Sequence, residues 1–338
     1  MVRAGEGAYA RAMLDLNRLE KLRLHTKPIT QRLIAQLVLR PNFGLARTRI
    51  TLEGVDNIPR DRGVYFAMNH TDRYNYWPFQ YQLYRHGGLR YTATWVKGKY
   101  YENRLMGAFM DATNNIPLPS RGYVITTEFR KLHGRVPTAD EYRALRDLVD
   151  EGATLDPAAV PGGPAVAALV GRDGPIEGFP ARFERLFDAM MGHVTRLTRQ
   201  ALDELDLNLL VFPQGTRSLR LSRGHTGLMQ MAQHTGHAIV PVGCSGSDKA
   251  YPGGSPFAKK AHIVYRVGAP LSLDGPELGP HRVREPYTPF TRGAARFEDR
   301  FRAATDVVMQ HIDRLVDPAY RFADDAESDG VVDVNRFV

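Results

Sequence analysis

Apolar residues along the chain recur in two kinds of pattern, short runs typical of strands and longer runs with the spacing of helices. Runs rich in Val, Ile, Leu, Tyr and Phe, most of them bounded by Gly, Pro or Asn, predict strands. These runs cover residues 50–53, 63–68, 89–95, 207–212, 238–243 and 262–267. Helical spacing of apolar residues predicts helices at 77–85, 183–202, 226–234 and 297–315. This alternation favours an α/β fold in which helices flank a mostly parallel central sheet.

Residues 122–180 interrupt the alternation and are rich in Pro, Gly and Ala. We interpret them as an insertion within one α/β domain that spans residues 49–318, with a helix predicted at 139–151 and Thr138 as its N-cap. The insertion fits either a lid over a site or a surface excursion, and its composition does not decide between them. The last segment, 319–338, is acidic, and we predict that it forms a flexible tail.

Positive charge is concentrated at the start of the chain. The formal net charge is +8, and residues 1–49 alone carry ten Arg and Lys side chains against three Asp and Glu. Apolar residues in this segment recur at helical spacing, which predicts a basic amphipathic helical segment over residues 1–48. Such a segment either binds an anionic membrane surface or packs its leucines on the body of the protein, and both remain open. The predicted partner is an anionic membrane surface, reached through residues 1–49.

Composition narrows the class of protein. With 338 residues, 43% hydrophobic and 24% charged, the chain is typical of a globular protein. Its single cysteine, Cys244, excludes a disulfide framework and an all-cysteine metal site and fits a reducing compartment. No apolar run approaches the roughly 20 residues of a membrane-spanning helix; the best, residues 33–39, is flanked by Arg32 and Arg40. The first residues also lack the apolar core of a secretory signal. We therefore predict a cytoplasmic protein, peripheral on the inner face of the membrane.

Three short blocks combine a strand with residues suited to chemistry. In residues 67–75, His70 follows a strand, where sheet proteins usually place their sites, and can act as a general base near neutral pH. In residues 211–218, a turn at Gly215 and the guanidinium of Arg217 suit a phosphate. The third block, 239–243, is a buried strand. Taken singly, a structural His and an ordinary turn also explain the first two blocks.

Other classes of function fit these blocks less well. A dinucleotide-binding enzyme needs a G-x-G-x-x-G turn after its first strand, which the sequence lacks. A hydrolase of the G-x-S-x-G type fails because residues 243–247 read Gly-Cys-Ser-Gly-Ser. Nucleic acid would account for the basic start of the chain but leaves the His and Arg blocks unused, so we predict no nucleic acid partner.

The order and spacing of the blocks resemble those of the glycerophospholipid acyltransferase family, which includes the lysophosphatidate acyltransferases. That family has an N-H-x-x-x-x-D block, a downstream Arg-containing block, an F-P-E-G-T-R-S block and a V-P-V block. The corresponding residues here are Asn69, His70 and Asn75, then residues 115–121, 212–218 and 239–242. The resemblance covers about residues 49–122 and 181–270.

This resemblance implies acyl transfer from an acyl thioester, either acyl-CoA or an acyl carrier protein, to a hydroxyl of glycerol 3-phosphate or lysophosphatidate. His70 would take the proton from the acceptor hydroxyl as that hydroxyl attacks the thioester carbonyl. Arg217, with the backbone amides of Gly215 and Thr216, would hold the acceptor phosphate, and Arg121 would add a second phosphate contact. No metal or redox cofactor is implied.

Two positions depart from the family pattern. Asn75 stands where the family has an aspartate that orients the His, and Gln214, which we assign to substrate binding, stands where it has a glutamate. Three outcomes are open: Asp72 replaces the missing carboxylate, Asn75 orients the His through its carbonyl oxygen, or activity is lost. Asp72 is also explained as a turn or helix N-terminal acid. The alternative to an enzyme is a catalytically impaired family member that binds acyl chains or phospholipid.

Overall fold

The computed structural model describes residues 13–150, 152, 156, 161–175 and 178–322. Residues 1–12 of the basic segment and the predicted flexible tail from residue 323 onward lie outside the described residues. So do parts of the predicted insertion, at 151, 153–155, 157–160 and 176–177.

The described residues divide into two compact units. The first unit contains those within residues 1–23, 96–111 and 116–196, and the second contains those within 24–95, 112–115 and 197–338. The blocks around His70 and Arg217 both belong to the second unit, and Arg121 belongs to the first.

The strands of the described chain build a mostly parallel sheet. They are β1 (Arg49–Glu53), β2 (Tyr65–Met68), β3 (Thr92–Lys97), β4 (Asn115–Leu118), β5 (Asn208–Val211), β6 (Ile239–Ser245) and β7 (His262–Val267). Within the described part of the chain these seven strands follow the order β1-β7-β6-β2-β5-β3-β4. The pairs β1–β7, β6–β2, β2–β5 and β5–β3 are parallel, whereas β6 and β7 are antiparallel. The predicted fold class and all the predicted strands are confirmed. β4 is an additional strand at the edge of the sheet, where its Pro117 is tolerated.

Helices connect and flank these strands. They are α1 (Leu16–Lys21), α2 (Ile29–Leu33), α3 (Arg40–Ala46), α4 (Tyr76–His86), α5 (Arg104–Ala112), α6 (Arg121–His133), α7 (Ala139–Asp150), α8 (Gly163–Val170), α9 (Phe179–Arg199), α10 (Gly227–Thr235), α11 (Ser247–Ala250), α12 (Arg292–Ala295) and α13 (Glu298–Leu315). The predicted helices are confirmed as α4, α7, α9, α10 and α13. A π-helical turn, Gln200–Glu204, extends α9. In the stretch interpreted as an insertion, α6 and α8 are additional helices that the sequence pattern did not predict.

The central strand β2 is buried on both faces of the sheet. Phe66 and Met68 belong to a core cluster that includes Phe79 of α4. Tyr65 and Ala67 alternate with them and point to the opposite face, where α10 and α13 pack. All four β2 side chains are fully buried, as is typical of a parallel strand covered by helices on both sides.

Residues 29–46 form a continuous helix, in which the π-helical turn Ile34–Leu39 joins α2 to α3. Ala35, Leu39 and Phe43 recur every four residues and are buried in the core cluster beside the sheet. Another side of the helix exposes large apolar side chains, with exposed fractions of 68% for Ile29, 52% for Leu33, 70% for Leu37, 44% for Val38 and 87% for Leu45. We call these five residues the exposed apolar face. None of the described helices is long and apolar enough to cross a bilayer.

Candidate active site

The candidate site begins where β2 ends, in the middle of the sheet. Asn69, the first residue after β2, is buried and pairs with the backbone of β6 in both directions. Its Nδ2 donates to the carbonyl oxygen of Cys244 at 2.9 Å, and its Oδ1 accepts from the amide of Cys244 at 2.7 Å. This side chain continues the strand pairing by one residue. It therefore fixes the point from which the next residue, His70, leaves the sheet.

The backbone of His70 is held by the turn that follows β5. Oε1 of Gln214 accepts from the amide of His70 at 3.0 Å, and the amide of Ser218 donates to the carbonyl oxygen of His70 at 2.9 Å. Gln214 is buried, and its Nε2 donates to Oγ of Ser222 at 3.2 Å. The side chain thus accepts on one side and donates on the other, which an ionised glutamate cannot do. In this structure Gln214 positions the backbone of the candidate base.

The imidazole ring of His70 is oriented by two neighbours. It stacks on the ring of Phe212, with 4.1 Å between ring centroids and 17° between ring planes. Its Nδ1 lies 3.3 Å from Oδ1 of Asn75, whose Nδ2 donates to the carbonyl oxygen of Asn69 at 2.8 Å. Only the NH₂ group of Asn75 can donate to the carbonyl oxygen of Asn69, so Oδ1 of Asn75 faces His70. Because Oδ1 can only accept, Nδ1 of the ring carries the proton. Nε2 is then the ring nitrogen with the lone pair, which is the form a general base requires.

Asn75 is itself fixed in the core. Its side chain is fully buried, and its backbone carbonyl oxygen accepts from the hydroxyl of Tyr265 at 2.5 Å. Burial raises the pKa of the Tyr265 hydroxyl well above its usual range, so this hydroxyl remains a donor. The residue that orients the His is therefore held by both its side chain and its backbone.

The carboxylate of Asp72 caps the turn after His70. It accepts from the amide of Tyr74 at 2.8 Å and from Oγ1 of Thr71 at 2.9 Å. The side chain is buried, and burial raises the pKa of its carboxyl group above the usual range. These contacts are those of an Asx turn, and they match the interpretation of Asp72 as a turn acid.

The turn 212–218 shapes the second half of the site. Gly215 has a φ of 66°, and its amide donates to the carbonyl oxygen of Phe212 at 3.0 Å. A Cβ on Gly215 would lie 2.7 Å from Cδ2 of His225, so the turn needs a glycine for its conformation and for space. Thr216 is half-buried and Arg217 is exposed. Within the described part of the chain, the guanidinium of Arg217 has no ion-pair partner.

Arg121, the other predicted phosphate contact, lies in the first unit at the start of α6. Its guanidinium forms ion pairs with Asp150 at 2.6 Å and with Glu184 at 2.5 Å. It also lies over the rings of Phe183 and Phe187, about 5 Å from each centroid. Two carboxylates and two aromatic rings thus already surround this cation.

The structure places both Asn75 and Gln214 in direct contact with His70. Two further residues support His70 that sequence reasoning did not assign to the site. Phe212 stacks on the ring and Asn69 fixes the amide of Asn75. Both residues belong to the motif blocks that carry the family resemblance, so their place in these blocks could have assigned them to the site. No group of three or more His, Cys, Asp or Glu side chains within the described ranges is arranged to hold a metal ion.

No family model matches the chain, and no curated protein matches its sequence. Among solved structures, the crystal structure of the 1-acyl-sn-glycerophosphate acyltransferase PlsC from Thermotoga maritima is similar. The TM-score is 0.42 and the sequence identity 14%, over 91% of this chain and 88% of that chain. A likeness of this degree is too distant to assign an activity to this chain.

Proposed function

We propose that the chain is an acyltransferase that moves an acyl group from acyl-CoA or an acyl carrier protein to a hydroxyl of glycerol 3-phosphate or lysophosphatidate. The observation that carries this proposal is the run of hydrogen bonds from the carbonyl of Asn69 through the amide of Asn75 to Nδ1 of His70. It selects the ring form in which Nε2 accepts a proton.

In the proposed reaction, Nε2 of His70 takes the proton of the acceptor hydroxyl while the oxygen attacks the thioester carbonyl. The new C–O ester bond forms, the C–S bond breaks, and the leaving thiolate takes up the proton from His70. Arg217 and the amide of Thr216 hold the acceptor phosphate and so bring the hydroxyl to His70. Gly215 contributes the shape of the turn, since its amide is used within the turn. The reaction needs no metal or redox cofactor.

A second candidate is a protein that binds acyl chains or phospholipid without turnover. The neutral Asn75 favours it, because an amide orients the ring but does not stabilise the positive imidazolium that forms when the base takes a proton. Both candidates require the same acyl and phosphate ligands. They differ in whether the thioester is consumed.

The decisive experiment measures thiol release from a series of acyl-CoAs, with and without glycerol 3-phosphate or lysophosphatidate. Acceptor-dependent release should fall by about 10²- to 10⁴-fold in His70→Ala and should persist in His86→Ala, which removes an exposed His in the last turn of α4. Release no greater than that of His70→Ala, with acyl-CoA or lipid still bound, would leave the binding protein as the answer.

We also propose a peripheral association of this protein with an anionic membrane surface on the cytoplasmic side. The exposed apolar face of residues 29–46 supports it, together with the exposed cations Arg32 and Arg40 of that helix and Lys27 and Arg47 next to its two ends. From Leu24 to Arg49 the sequence contains no Asp or Glu. The segment 24–49 thus combines exposed apolar side chains with one sign of charge.

A further inference from the structure

A cavity of about 450 Å³ lies between α3, the start of β1 and α4, all in the second unit. Its lining includes the three arginines Arg40, Arg49 and Arg85. All three arginines are exposed. The remaining lining residues are neutral, and Phe43 and Tyr81 form its apolar floor. The cavity therefore carries three positive charges and no negative one.

The three guanidinium groups are held in place without neutralisation. The guanidinium of Arg85 lies 5.6 Å from the centroid of the Tyr81 ring, and Nη2 of Arg49 bonds to Nδ1 of His262 at 3.0 Å. Arg40 donates to Oε1 of Gln36 at 3.4 Å. In the described chain, no carboxylate pairs with any of the three. Three unneutralised cations around one cavity attract a ligand with concentrated negative charge, and guanidinium groups match phosphate oxygens in geometry.

The cavity is lined in part by the helix that carries the exposed apolar face. Gln36, Arg40, Phe43 and Gly44 line the cavity and belong to that helix. Leu37 and Leu45 follow two of these lining residues directly in the sequence and are among the most exposed apolar side chains. A ligand with a phosphate and an apolar part could thus place each part against a matching surface.

We propose that this arginine cavity binds the phosphate of an anionic phospholipid headgroup when the helix rests on a bilayer. The site is separate from the turn that holds Arg217. It rests on the proposed membrane association and does not require acyl transfer. A free phosphate compound shares the same charge chemistry, so the experiment must separate the two sources.

The first test measures binding of the full chain to phosphatidylcholine vesicles that contain phosphatidylglycerol, which is neither substrate nor product of the proposed reaction. Arg40→Gln/Arg85→Gln removes two cavity charges. Lys27→Gln/Arg47→Gln removes two exposed charges from the same segment outside the cavity. The cavity variant should bind at least about tenfold more weakly than the control variant, because it loses charge-assisted hydrogen bonds in addition to general attraction. On vesicles made equally negative with oleate, which lacks phosphate, the two variants should bind alike. Equal weakening of both variants on phosphatidylglycerol vesicles would overturn the proposal.

The second test identifies the source of the phosphate. Calorimetric titration of the unmodified protein with a short-chain, soluble phosphatidylglycerol should give saturable binding that the cavity variant loses. Inorganic phosphate should bind at least about tenfold more weakly, because it cannot contact the apolar face. Equal affinity for inorganic phosphate would overturn assignment of the site to a lipid. Both tests measure binding and not turnover. They therefore decide the cavity proposal even if the protein has no acyltransferase activity.

A third variant guards against misfolding of the arginine variants. Gly44 lines the cavity within α3, and a Cβ on it meets no atom within 4 Å. The Cβ of a larger residue therefore meets open space, and such a residue favours the helix more than glycine does. Gly44→Glu should weaken binding to phosphatidylglycerol vesicles, because it adds a negative charge to the cavity. Gly44→Gln, whose side chain has the same shape but no charge, should bind several-fold more tightly than Gly44→Glu. Equal binding by the two would contradict an anion site here.

Discussion

At the scale of single residues, the side-chain amide of Asn75 carries the most consequence. It has the shape of a carboxylate, but its NH₂ group donates to the carbonyl oxygen of Asn69 and its oxygen faces His70. By the family resemblance, this asparagine replaces an aspartate that orients the His, which suggested a loss of activity. In the structure the amide makes both hydrogen bonds, whereas an ionised carboxylate could accept from His70 but could not donate to Asn69.

The variant Asn75→Asp tests this account. The aspartate loses the donor to Asn69 and brings an oxygen towards that carbonyl, so the free energy of unfolding should fall by about 1–3 kcal/mol. The negative charge should also stabilise the protonated ring of His70 that forms in the proposed reaction, and so change the acidic limb of the pH–rate profile. Urea denaturation and kcat/KM against pH measure the two effects. Unchanged stability together with an unchanged profile would refute the assigned orientation of the amide.

Gly215 offers a second test at this scale. Gly215→Ala places a Cβ at a φ of 66° and against the ring of His225. The left-handed conformation costs about 1–2 kcal/mol, and the collision adds to it. Thermal melting should show the loss. If Arg217 holds the acceptor phosphate as proposed, the KM for that acceptor should also rise, because Arg217 lies two residues from the altered turn position.

The double variant Gly215→Ala/His225→Ala separates the two causes. It relieves the collision but keeps the unfavourable φ, so it should recover part of the stability. Complete recovery would mean that the backbone conformation costs nothing.

Among these residues, the sequence could predict that His70 and Arg217 follow strands, because each lies just after a continuous apolar run. It could not predict that Gln214 bonds to the backbone of His70, since the two residues lie 144 positions apart. The neighbours of Arg121 were equally hidden, because Asp150 and Glu184 reach it only through the folding of the first unit.

At the scale of elements, hydrophobic patterning predicted the strands of the sheet to within a few residues, because buried strands need continuous apolar runs. It missed β4, a short edge strand with a proline, and it missed α6 and α8. Gly and Pro at the start of α8 and polar residues within α6 conceal their helical spacing. The π-helical turn within residues 29–46 also has no signal in the sequence, since it depends on how the helix packs.

Helix α7 provides a test of an element that was predicted together with its N-cap. Oε2 of Glu141 accepts from the amide of Thr138 at 2.7 Å, and Oγ1 of Thr138 accepts from the amide of Glu141 at 3.3 Å, which forms a capping box. The hydrogen bonds from Arg135 to Glu141 lower the pKa of that carboxyl group to about 2. Because this pKa is lower in the folded state, the ionised carboxylate stabilises the protein above about pH 4.5, and this contribution is lost as the pH falls towards 2.

Glu141→Gln should therefore lower the urea midpoint at pH 7, and its deficit relative to the unmodified protein should shrink between pH 4.5 and 2. Glu20→Gln changes an exposed carboxylate and serves as the control. A deficit that stays constant down to the acid limit would show that the charge of Glu141 is not its source.

At the scale of the whole molecule, charge and exposed apolar area coincide on residues 29–46. Leu37→Ser removes one large side chain from the exposed apolar face, and binding to anionic vesicles should weaken by about tenfold, which corresponds to the burial of one leucine. Val136→Ser removes an apolar side chain that is 49% exposed in the first unit and is the control. Vesicle flotation measures both. Similar losses in the two variants would mean that the face is not the contact surface.

The hydrogen bonds between Asn69 and Cys244 connect the site to a buried thiol whose chemical labelling can be timed. Cys244 is the sole thiol in the chain, lies fully buried in β6 beside the central strand, and has a thiol pKa that burial raises. A thiol-specific reagent should therefore leave the native protein untouched and react only when β6 separates from its neighbours. The labelling rate then reports how often the sheet that carries His70 opens, and ligands that occupy the site should slow it in proportion to the time that the site is filled.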